Sequence, residues 1–403
     1  MGLNSTPDAD RLHIGIFGRR NAGKSSLLNA IAGQPLSIVS EIRGTTTDPV
    51  KKAMELLPLG PVVFIDTPGL DDAGMLGEQR VASSRRVLNT ADAAVVVIDG
   101  LEGPNAEDME ILALCRKKEI PTVLVLNKLD EVRAQKPEQE AALQQAYPDA
   151  LWVSASNGDN IRALKDKIAA CIPEEPPRRL LGDFVKPGEL VVLVVPIDSA
   201  APKGRLILPQ QQTIRDLLDT GAMAAVCRES ELQATLDSLQ KPPRLVVTDS
   251  QAFKEVAATV PESVPLTSFS ILMARRKGVL RDAITGVEAL ESLQDGDRVL
   301  ISEGCTHHRQ CDDIGTVKLP RWIQEYTGVQ PQFTFSSGVD FPEDLSHFHM
   351  VIHCGGCMLT EREMRRRLRC AHRQGIPMTN YGILIAYLRG ILKRSIAPLP
   401  SLS

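Results

Sequence analysis

Short runs of apolar, β-branched residues alternate with amphipathic stretches along the first part of the chain. The runs read HIGIF, VVFID, AAVVVID, TVLVLNK and LWVSA, and each is followed by a loop and a longer amphipathic segment. This alternation is typical of a parallel sheet that is covered by helices. We therefore expect an α/β domain over residues 1–172.

The rest of the chain carries the same pattern in two smaller blocks. A linker is predicted over 173–189, which begins PEEPPRR, because proline and charge favour extended backbone. The apolar strands LVVLVV and LVVT lie in a second unit over 190–264, and RVLIS, QFTF and MVIH lie in a third over 265–403. In the third unit Thr360 and Glu363 have the spacing of a helix capping box. The predicted fold class is α/β, with two smaller α/β domains with parallel sheets after the first domain.

Charge and composition narrow the class of function. The net charge is −4 and the isoelectric point is near 6.0, so we expect no binding to nucleic acid. The apolar runs fall short of the ~20 residues of a membrane-spanning helix, and residues 1–10 lack the basic and apolar parts of a secretory signal. We therefore expect a cytoplasmic protein with no membrane contact. Its eight cysteines are then not a disulfide framework, and those that cluster in the sequence are predicted to be metal ligands or redox groups.

The loop after the first strand carries a phosphate-binding motif. Residues 18–25 read GRRNAGKS and fit G-x-x-x-x-G-K-[ST], between an apolar strand and the start of a helix. In such a P-loop the glycines let backbone N–H groups approach the phosphates, Lys24 reaches the β and γ oxygens, and Ser25 binds magnesium. The residues predicted to hold the nucleotide here are Gly18, Asn21, Ala22, Gly23, Lys24, Ser25 and Ser26.

Three later motifs predict a guanine nucleotide. Asp66-Thr67-Pro68-Gly69 follows a strand and offers the Asp66 carboxylate to magnesium and the Gly69 N–H to a γ-phosphate. Asn127-Lys128-Leu129-Asp130 offers a carboxylate that can accept both the N1–H and the neighbouring exocyclic amine of guanine, a pair of donors that adenine cannot supply. Ser154-Ala155-Ser156 ends the next strand and presents a backbone N–H to the guanine oxygen.

The four motifs, in this order, resemble those of GTPases. The stretch GTTTD at 44–48 is similar to the first switch of the Era and tRNA-modification GTPase branch. By that resemblance Thr46 binds magnesium, with Thr45 as the alternative. Lys24, Thr46 and Gly69 are then the predicted catalytic residues.

Two positions bear on the rate of GTP hydrolysis. Leu70 stands where the Ras-like branch has the glutamine that orients the attacking water, so slow turnover is expected. Asn21 occupies the position that, in the potassium-stimulated members that this region resembles, helps to hold a monovalent cation against the phosphates. Such an ion neutralises charge in the transition state; the other interpretation is that Asn21 only caps the loop.

Two groups of cysteine and histidine follow predicted strands of the third unit. Cys305-Thr306-His307 comes after RVLIS, and His353-Cys354-Gly355-Gly356-Cys357 comes at the end of MVIH. Because ligands of open α/β sheets bind at the carboxyl ends of the strands, the two groups could converge on one site. Three thiolates and a histidine suit a closed zinc site as well as an iron–sulfur cluster. A redox dithiol of Cys354 and Cys357 is a further alternative.

The combination of a GTPase domain, Cys305-x-His307 and His353-Cys354-x-x-Cys357 resembles the HydF family of FeFe-hydrogenase maturation GTPases over essentially the whole chain. The resemblance implies a dimerisation domain at 190–264, an iron–sulfur cluster domain at 265–403, and a homodimer. It also implies that Cys305, Cys354 and Cys357 bind a 4Fe-4S cluster, with His307 or His353 near the fourth iron.

The same resemblance implies a function. The chain would use GTP, Mg²⁺ and K⁺, receive a transient diiron subcluster precursor from radical-SAM hydrogenase maturases, and deliver it to apo FeFe-hydrogenase. The alternative is a GTPase that acts on ribosomes or tRNA and carries a structural zinc site. The negative net charge of the chain and the lack of a GXXG-type RNA-clamping loop count against that alternative.

Overall fold

The computed structural model of the chain describes residues 7–33, 50–67, 84–173, 179–197, 206–304, 313–338 and 340–400. The chain divides into two units, Met1–Glu175 and Pro176–Ser403. Several residues of the predicted sites lie outside the described residues, and their roles stay predictions. They are Thr45, Thr46, Gly69, Leu70, Cys305 and His307.

One six-stranded sheet forms the centre of the first unit. Its strands are β1 (Leu12–Phe17), β2 (Val50–Leu56), β3 (Gly60–Asp66), β4 (Ala93–Asp99), β5 (Thr122–Asn127) and β6 (Leu151–Trp152). The order across the sheet is β2-β3-β1-β4-β5-β6. All neighbours are parallel except β2 and β3, which are antiparallel. The parallel part confirms the predicted α/β fold, whereas no apolar run predicts β2.

Helices cover both faces of this sheet. They are α1 (Lys24–Ala32), α2 (84–90), α3 (Ala106–Lys117), α4 (Leu129–Gln135), α5 (Pro137–Ala146) and α6 (Ile161–Cys171). Ile14 and Ile16 of β1 share an apolar cluster with α1 and α6, while Phe17 shares another with α2 and α3. The side chains of β1 alternate between the two clusters because successive residues of a strand point to opposite faces. The loop after Phe17 therefore emerges at the carboxyl edge of a fully covered sheet.

Two four-stranded parallel sheets form the second unit. Their strands are β7 (Leu190–Val194), β8 (Met223–Cys227), β9 (Leu245–Thr248), β10 (Leu266–Ser268), β11 (Arg298–Glu303), β12 (Gln332–Ser337), β13 (Met350–His353) and β14 (Met378–Asn380). The orders are β10-β9-β7-β8 and β12-β11-β13-β14, and every pairing is parallel. The predicted parallel sheets are confirmed, although the apolar runs do not predict β8, β10 and β14.

The helices of the second unit connect and cover these strands. They are α7 (Leu208–Thr220), α8 (Leu232–Asp237), α9 (Phe253–Thr259), α10 (Phe269–Arg276), α11 (Leu280–Gly286), α12 (Leu319–Thr327), α13 (Glu361–Arg373), α14 (Tyr381–Leu388) and α15 (Leu392–Ile396). The Thr360 side chain accepts the Glu363 N–H and caps α13 as predicted. The Glu363 carboxylate binds Arg366 and Arg367 instead of returning to Thr360, so only half of the predicted capping box forms.

A single apolar core runs through both sheets of the second unit. Buried residues of β7 and β9 belong to the same cluster as those of β11 and β13, and α10 and α15 pack against α14 and β10 respectively. The guanidinium of Arg394, on α15, donates to the backbone oxygens of Val260 and Pro261 at 2.9 and 2.8 Å. The two sheets are therefore joined by polar as well as apolar contacts.

In the part of the chain that the structure describes, no helix combines the length and the apolar character that crossing a membrane requires. The cytoplasmic location stays a prediction.

Candidate nucleotide and metal sites

The P-loop has the backbone that a phosphate site requires. Gly18 has φ +140°, and a Cβ at this position would lie 2.2 Å from the Val97 oxygen, so only glycine fits. Lys24 is buried, and its Nζ donates to the Gly18 and Arg19 oxygens at 2.8 Å each. The ammonium is thus held across the loop at the start of α1, where backbone N–H groups and the helix dipole favour an anion.

Asn127 joins the P-loop to the loop after β6. Its Nδ2 donates to the Ala22 oxygen at 2.9 Å, and its Oδ1 accepts the Ala155 N–H at 3.2 Å. A Cβ on Gly23, which has φ +89°, would lie 2.2 Å from the same Nδ2. The motif residue Asn127 therefore holds together two loops that the sequence assigns to opposite ends of a nucleotide.

Asp66 and Ser25 meet where the sequence predicts magnesium. The Ser25 hydroxyl donates to Asp66 Oδ2 at 3.0 Å, and Asp66 Oδ1 is buried and finds no hydrogen-bond partner among the residues that the structure describes. Burial raises the pKa of Asp66, and the Ser25 hydrogen bond and the Lys24 charge oppose that shift. An orphaned, buried carboxylate oxygen is costly, and a divalent cation that prefers oxygen ligands would satisfy it. The described residues thus fit Mg²⁺.

Two hydroxyls orient the carboxylate that is predicted to read the base. Ser154 Oγ donates to Asp130 Oδ1 at 2.7 Å, and Ser156 Oγ donates to Asp130 Oδ2 at 2.8 Å. Partial burial acts to raise the pKa of Asp130, but these hydrogen bonds outweigh it and hold the pKa below its ordinary value. Asp130 is therefore a fixed, ionised acceptor.

Asp99 is a site residue that the motifs do not reveal. Lys128 adopts φ +67° and its Nζ donates to Asp99 Oδ2 at 2.8 Å, while Asp99 Oδ1 accepts the Leu101 N–H. Arg19 of the P-loop pairs with nearby Glu102 at 2.7 Å. The signal in the sequence was the acidic end of AAVVVID at the carboxyl edge of the sheet, where polar residues of α/β proteins hold ligands or loops.

The predicted cluster loop lies at the carboxyl edge of the last sheet. Cys354 follows β13, and its Sγ accepts the N–H groups of Gly304 and Gly356 at 3.0 and 3.4 Å. Gly304 is the residue before Cys305, so the described part of the loop after β11 contacts Cys354, while the convergence of the two cysteine groups stays a prediction. Burial raises the pKa of Cys354 to about 11 and also raises the pKa of Cys357. Both are free thiols, and a metal would have to displace their protons.

His353 has partners on both ring nitrogens. Nδ1 donates to the Cys354 oxygen at 2.8 Å, and Nε2 accepts an N–H of Arg367 at 3.0 Å. Burial, with the charge of Arg367, lowers the pKa of His353 to about 3. Both ring nitrogens of this neutral imidazole are thus engaged by protein groups, and its predicted role beside the fourth iron stays a prediction.

Arg367 is fully buried, although it lies in the arginine-rich helix α13. Its Nε donates to Glu363 Oε1 at 2.8 Å and its Nη2 donates to the Gly338 oxygen at 2.6 Å. The guanidinium also lies over the Phe341 ring, 5.1 Å from the centroid. Arg367 thus ties α13 to the residue that precedes Cys354.

Within the described ranges, no group of three or more His, Cys, Asp and Glu side chains is placed to hold a metal ion. Those ranges do not include Cys305 and His307, which belong to the predicted ligand set. Asn21, the predicted potassium ligand, is exposed and has φ +62°. Its role, like the roles of the other predicted site residues, stays a prediction.

Three family models match consecutive segments of the chain, and each segment contains all or most of one of the three sheets. Residues 13–128 match the model described as a 50S ribosome-binding GTPase. Residues 180–278 match the hydrogen maturase F dimerization domain, and residues 281–398 match the hydrogen maturase F tetramerization domain. The chain belongs to the HydF family. HydF membership confirms the resemblance that the order of motifs predicts, and the N-terminal unit is a GTPase domain.

Individual relatives match the GTPase domain of this HydF family member. GTPase Der of Campylobacter jejuni is 38% identical over 170 residues, which are 40% of this chain and 37% of Der. GTPase Era of Heliobacterium modesticaldum is 33% identical over 175 residues, which are 42% of this chain and 58% of Era. The chain thus spans less than two thirds of the length of these relatives, and the likeness is limited to one domain.

Proposed function

We propose that the chain is a GTP-hydrolysing scaffold that binds a 4Fe-4S cluster and carries a diiron subcluster precursor to apo FeFe-hydrogenase. The observation that carries the proposal is the hydrogen bond from the Gly304 N–H, next to Cys305 in the sequence, to Cys354 Sγ, in a chain whose last two domains match HydF models. Radical-SAM hydrogenase maturases would supply the precursor. The names of the matched domains support a homodimer or a larger oligomer.

GTP hydrolysis would rest on Lys24, Ser25, Asp66 and Asp130, with Thr46 and Gly69 from outside the described residues. Lys24 would bind the β and γ oxygens, and Asp130 would accept two N–H groups of guanine. Ser25 and Asp66, with Thr46, would hold Mg²⁺, which supplies charge neutralisation for the phosphates. The Gly69 N–H would contact the γ-phosphate. With Leu70 in place of a polar residue, orientation of the attacking water is left to the backbone and bound ions, and turnover would be slow.

A potassium ion at Asn21 would raise that slow rate. We expect phosphate release at matched ionic strength to be about tenfold faster in KCl than in NaCl, because a fixed cation against the phosphates stabilises the charge of the transition state. The Asn21→Ala variant should lose most of the difference while still binding GTP. Equal rates of the native chain in the two salts would contradict this part of the proposal.

The described residues of the cysteine loop fit an iron–sulfur cluster. N–H groups that donate to a cysteine sulfur stabilise its thiolate form and set the electronic properties of a bound cluster. The cluster, when bound by Cys305, Cys354 and Cys357, would supply an iron with an exchangeable fourth position, to which a second metal assembly can attach. A closed zinc site offers no such position.

Cluster binding can be tested by electron paramagnetic resonance after anaerobic reconstitution and reduction. We expect about four iron atoms per chain and a low-spin cluster signal, both lost in Cys354→Ala and in Cys357→Ala. The matched control is Cys370→Ala, on α13, which removes a thiol outside the predicted ligand set and should leave both unchanged. The loaded chain, and not the cysteine variants, should then activate apo FeFe-hydrogenase in the presence of the maturases.

A second candidate is a ribosome- or tRNA-associated GTPase with a structural zinc site. The description of the 13–128 match and the similarity to Era and Der favour it, but that similarity leaves residues 180–398 unexplained. Zinc in place of iron in the reconstituted protein, together with RNA that stays bound at moderate salt, would support this candidate and exclude the scaffold.

A further inference from the structure

A lysine from outside the cysteine domain reaches the predicted cluster loop. Lys277 follows α10 and lies in the residues that match the dimerization domain, whereas Cys354 and Cys357 lie in the next matched domain. Lys277 is 3% exposed, and its Nζ donates to the Leu359 oxygen at 2.6 Å. Leu359 is two residues after Cys357, so a buried positive charge stands against the turn that carries the cysteines.

The same helix comes close to this loop at a second place. A Cβ on Gly355 would come within 4.0 Å of Ser270 Oγ, and Asn380 donates to the Ser270 oxygen at 3.4 Å. The Leu359 N–H donates to the Gly356 oxygen at 3.0 Å and closes the turn. Both ends of α10 are therefore fixed beside the loop, and Lys277 is held in place rather than free to turn toward water.

The charges around the thiols show what Lys277 does to them. Burial raises the pKa of Cys357, and the charge of Lys277 acts in the opposite direction. Beside Cys354 stands Glu303, which accepts the Tyr381 hydroxyl at 3.1 Å and adds negative charge. A metal–thiolate assembly would add more. Lys277 supplies positive charge to a site in which negative charge accumulates.

We propose that Lys277 is a positioning residue of the metal site, whose ammonium compensates the negative charge of the metal–thiolate assembly bound at Cys354 and Cys357. This proposal about Lys277 rests on the proposed function to the extent that the bound assembly is a 4Fe-4S cluster. Three thiolates give the oxidised cluster a formal charge of about −1 and the reduced cluster about −2. A fixed positive charge stabilises the reduced form more, because the Coulomb energy is proportional to the charge. Zinc bound by the same thiolates is also negative and gains likewise.

The test compares Lys277→Met with the native chain. By titration followed by electron paramagnetic resonance, we expect the midpoint potential of the cluster to become more negative in Lys277→Met. Zinc affinity of the iron-free chain, measured by competition with a chelating dye, should fall about tenfold. This is a typical effect of removing a residue that surrounds the metal ligands without binding the metal itself. Lys277→Arg, which keeps the charge, should restore both values toward those of the native chain.

Two controls separate charge from folding. Lys254→Met removes an exposed lysine from α9 of the same domain and should change neither value, because water and salt screen an exposed charge. Circular dichroism and GTP turnover should be equal in all variants. If Lys277→Met takes up the cluster and binds zinc as the native chain does, at the same potential and affinity, the proposal is wrong and the scaffold function stands.

The outcome for the proposed function can be distinguished. A native chain that forms no cluster, yet binds zinc with an affinity that depends on Lys277, would exclude the scaffold and support the role of Lys277. A native chain that binds neither metal would overturn both.

Discussion

Asp130→Asn is expected to lower the affinity for GTP about a thousandfold and to create affinity for xanthosine triphosphate. The Asp130 carboxylate is fixed by Ser154 and Ser156, and two N–H groups of guanine would complete its hydrogen bonds. An amide accepts only one of them and presents an N–H to the other, so about two charge-assisted hydrogen bonds are lost, at ~1.5–3 kcal/mol each. Xanthine has a carbonyl in place of the amine and complements the amide.

Fluorescent nucleotide titration measures both affinities. Asp166→Asn, at an exposed carboxylate on α6, is the matched control and should bind GTP as the native chain does. Ser154→Ala should give an intermediate loss, because it leaves the carboxylate in place but frees one of its oxygens. The assignment of Asp130 to the base would be wrong if Asp130→Asn bound GTP normally or failed to gain affinity for the xanthine nucleotide.

Arg367→Met is expected to destabilise the second unit by about 3–5 kcal/mol. Among the described residues, the change leaves Arg366 as the remaining partner of Glu363, which is 4% exposed. It also removes the donors of His353 Nε2 and the Gly338 oxygen. Removing one partner of a buried ion pair lowers the free energy of unfolding far more than replacing both partners, because the remaining charge stays buried. The double variant Glu363→Gln, Arg367→Met should therefore be more stable than Arg367→Met alone.

The two tryptophans of the chain make this measurable. Trp152 lies in β6 of the first unit and Trp322 in α12 of the second, so urea unfolding of a Trp152→Phe background reports on the second unit alone. Arg369→Met, on the same helix but exposed, should change the free energy of unfolding by no more than about 0.5 kcal/mol. Equal effects of the two arginine variants would show that burial of Arg367 contributes nothing.

The main strands could be predicted because a strand buried on both faces is a continuous apolar run, as in β1, β4 and β7. The strands without such a run could not. β2 has the sequence VKKAMEL and alternates between exposed and partly buried positions, which is the pattern of an edge strand with one face toward solvent. β10 and β14 have only three residues each, too few to carry a period.

The nucleotide motifs could be predicted because their spacing is local and their chemistry demands particular residues. The predicted metal ligands stay a prediction, and the structure describes only His353, Cys354 and Cys357 among them. His353 has the sequence position of a ligand, but its direction is set by Arg367, fourteen residues later, and one arginine in a run of arginines carries no sign that it is buried. Lys277 is eighty residues from Cys357, and only packing of the two sheets brings it near.

The continuous apolar core of the second unit determines whether its two domains can fold separately. The two family models meet between residues 278 and 281, yet residues on both sides of that junction share one buried apolar cluster. Arg394, after the junction, also donates hydrogen bonds to backbone oxygens that precede it. A chain cut there would expose apolar surface from both halves and lose its cooperative unfolding. The two modules can be recognised separately in sequence, but their shared core makes them one folding unit.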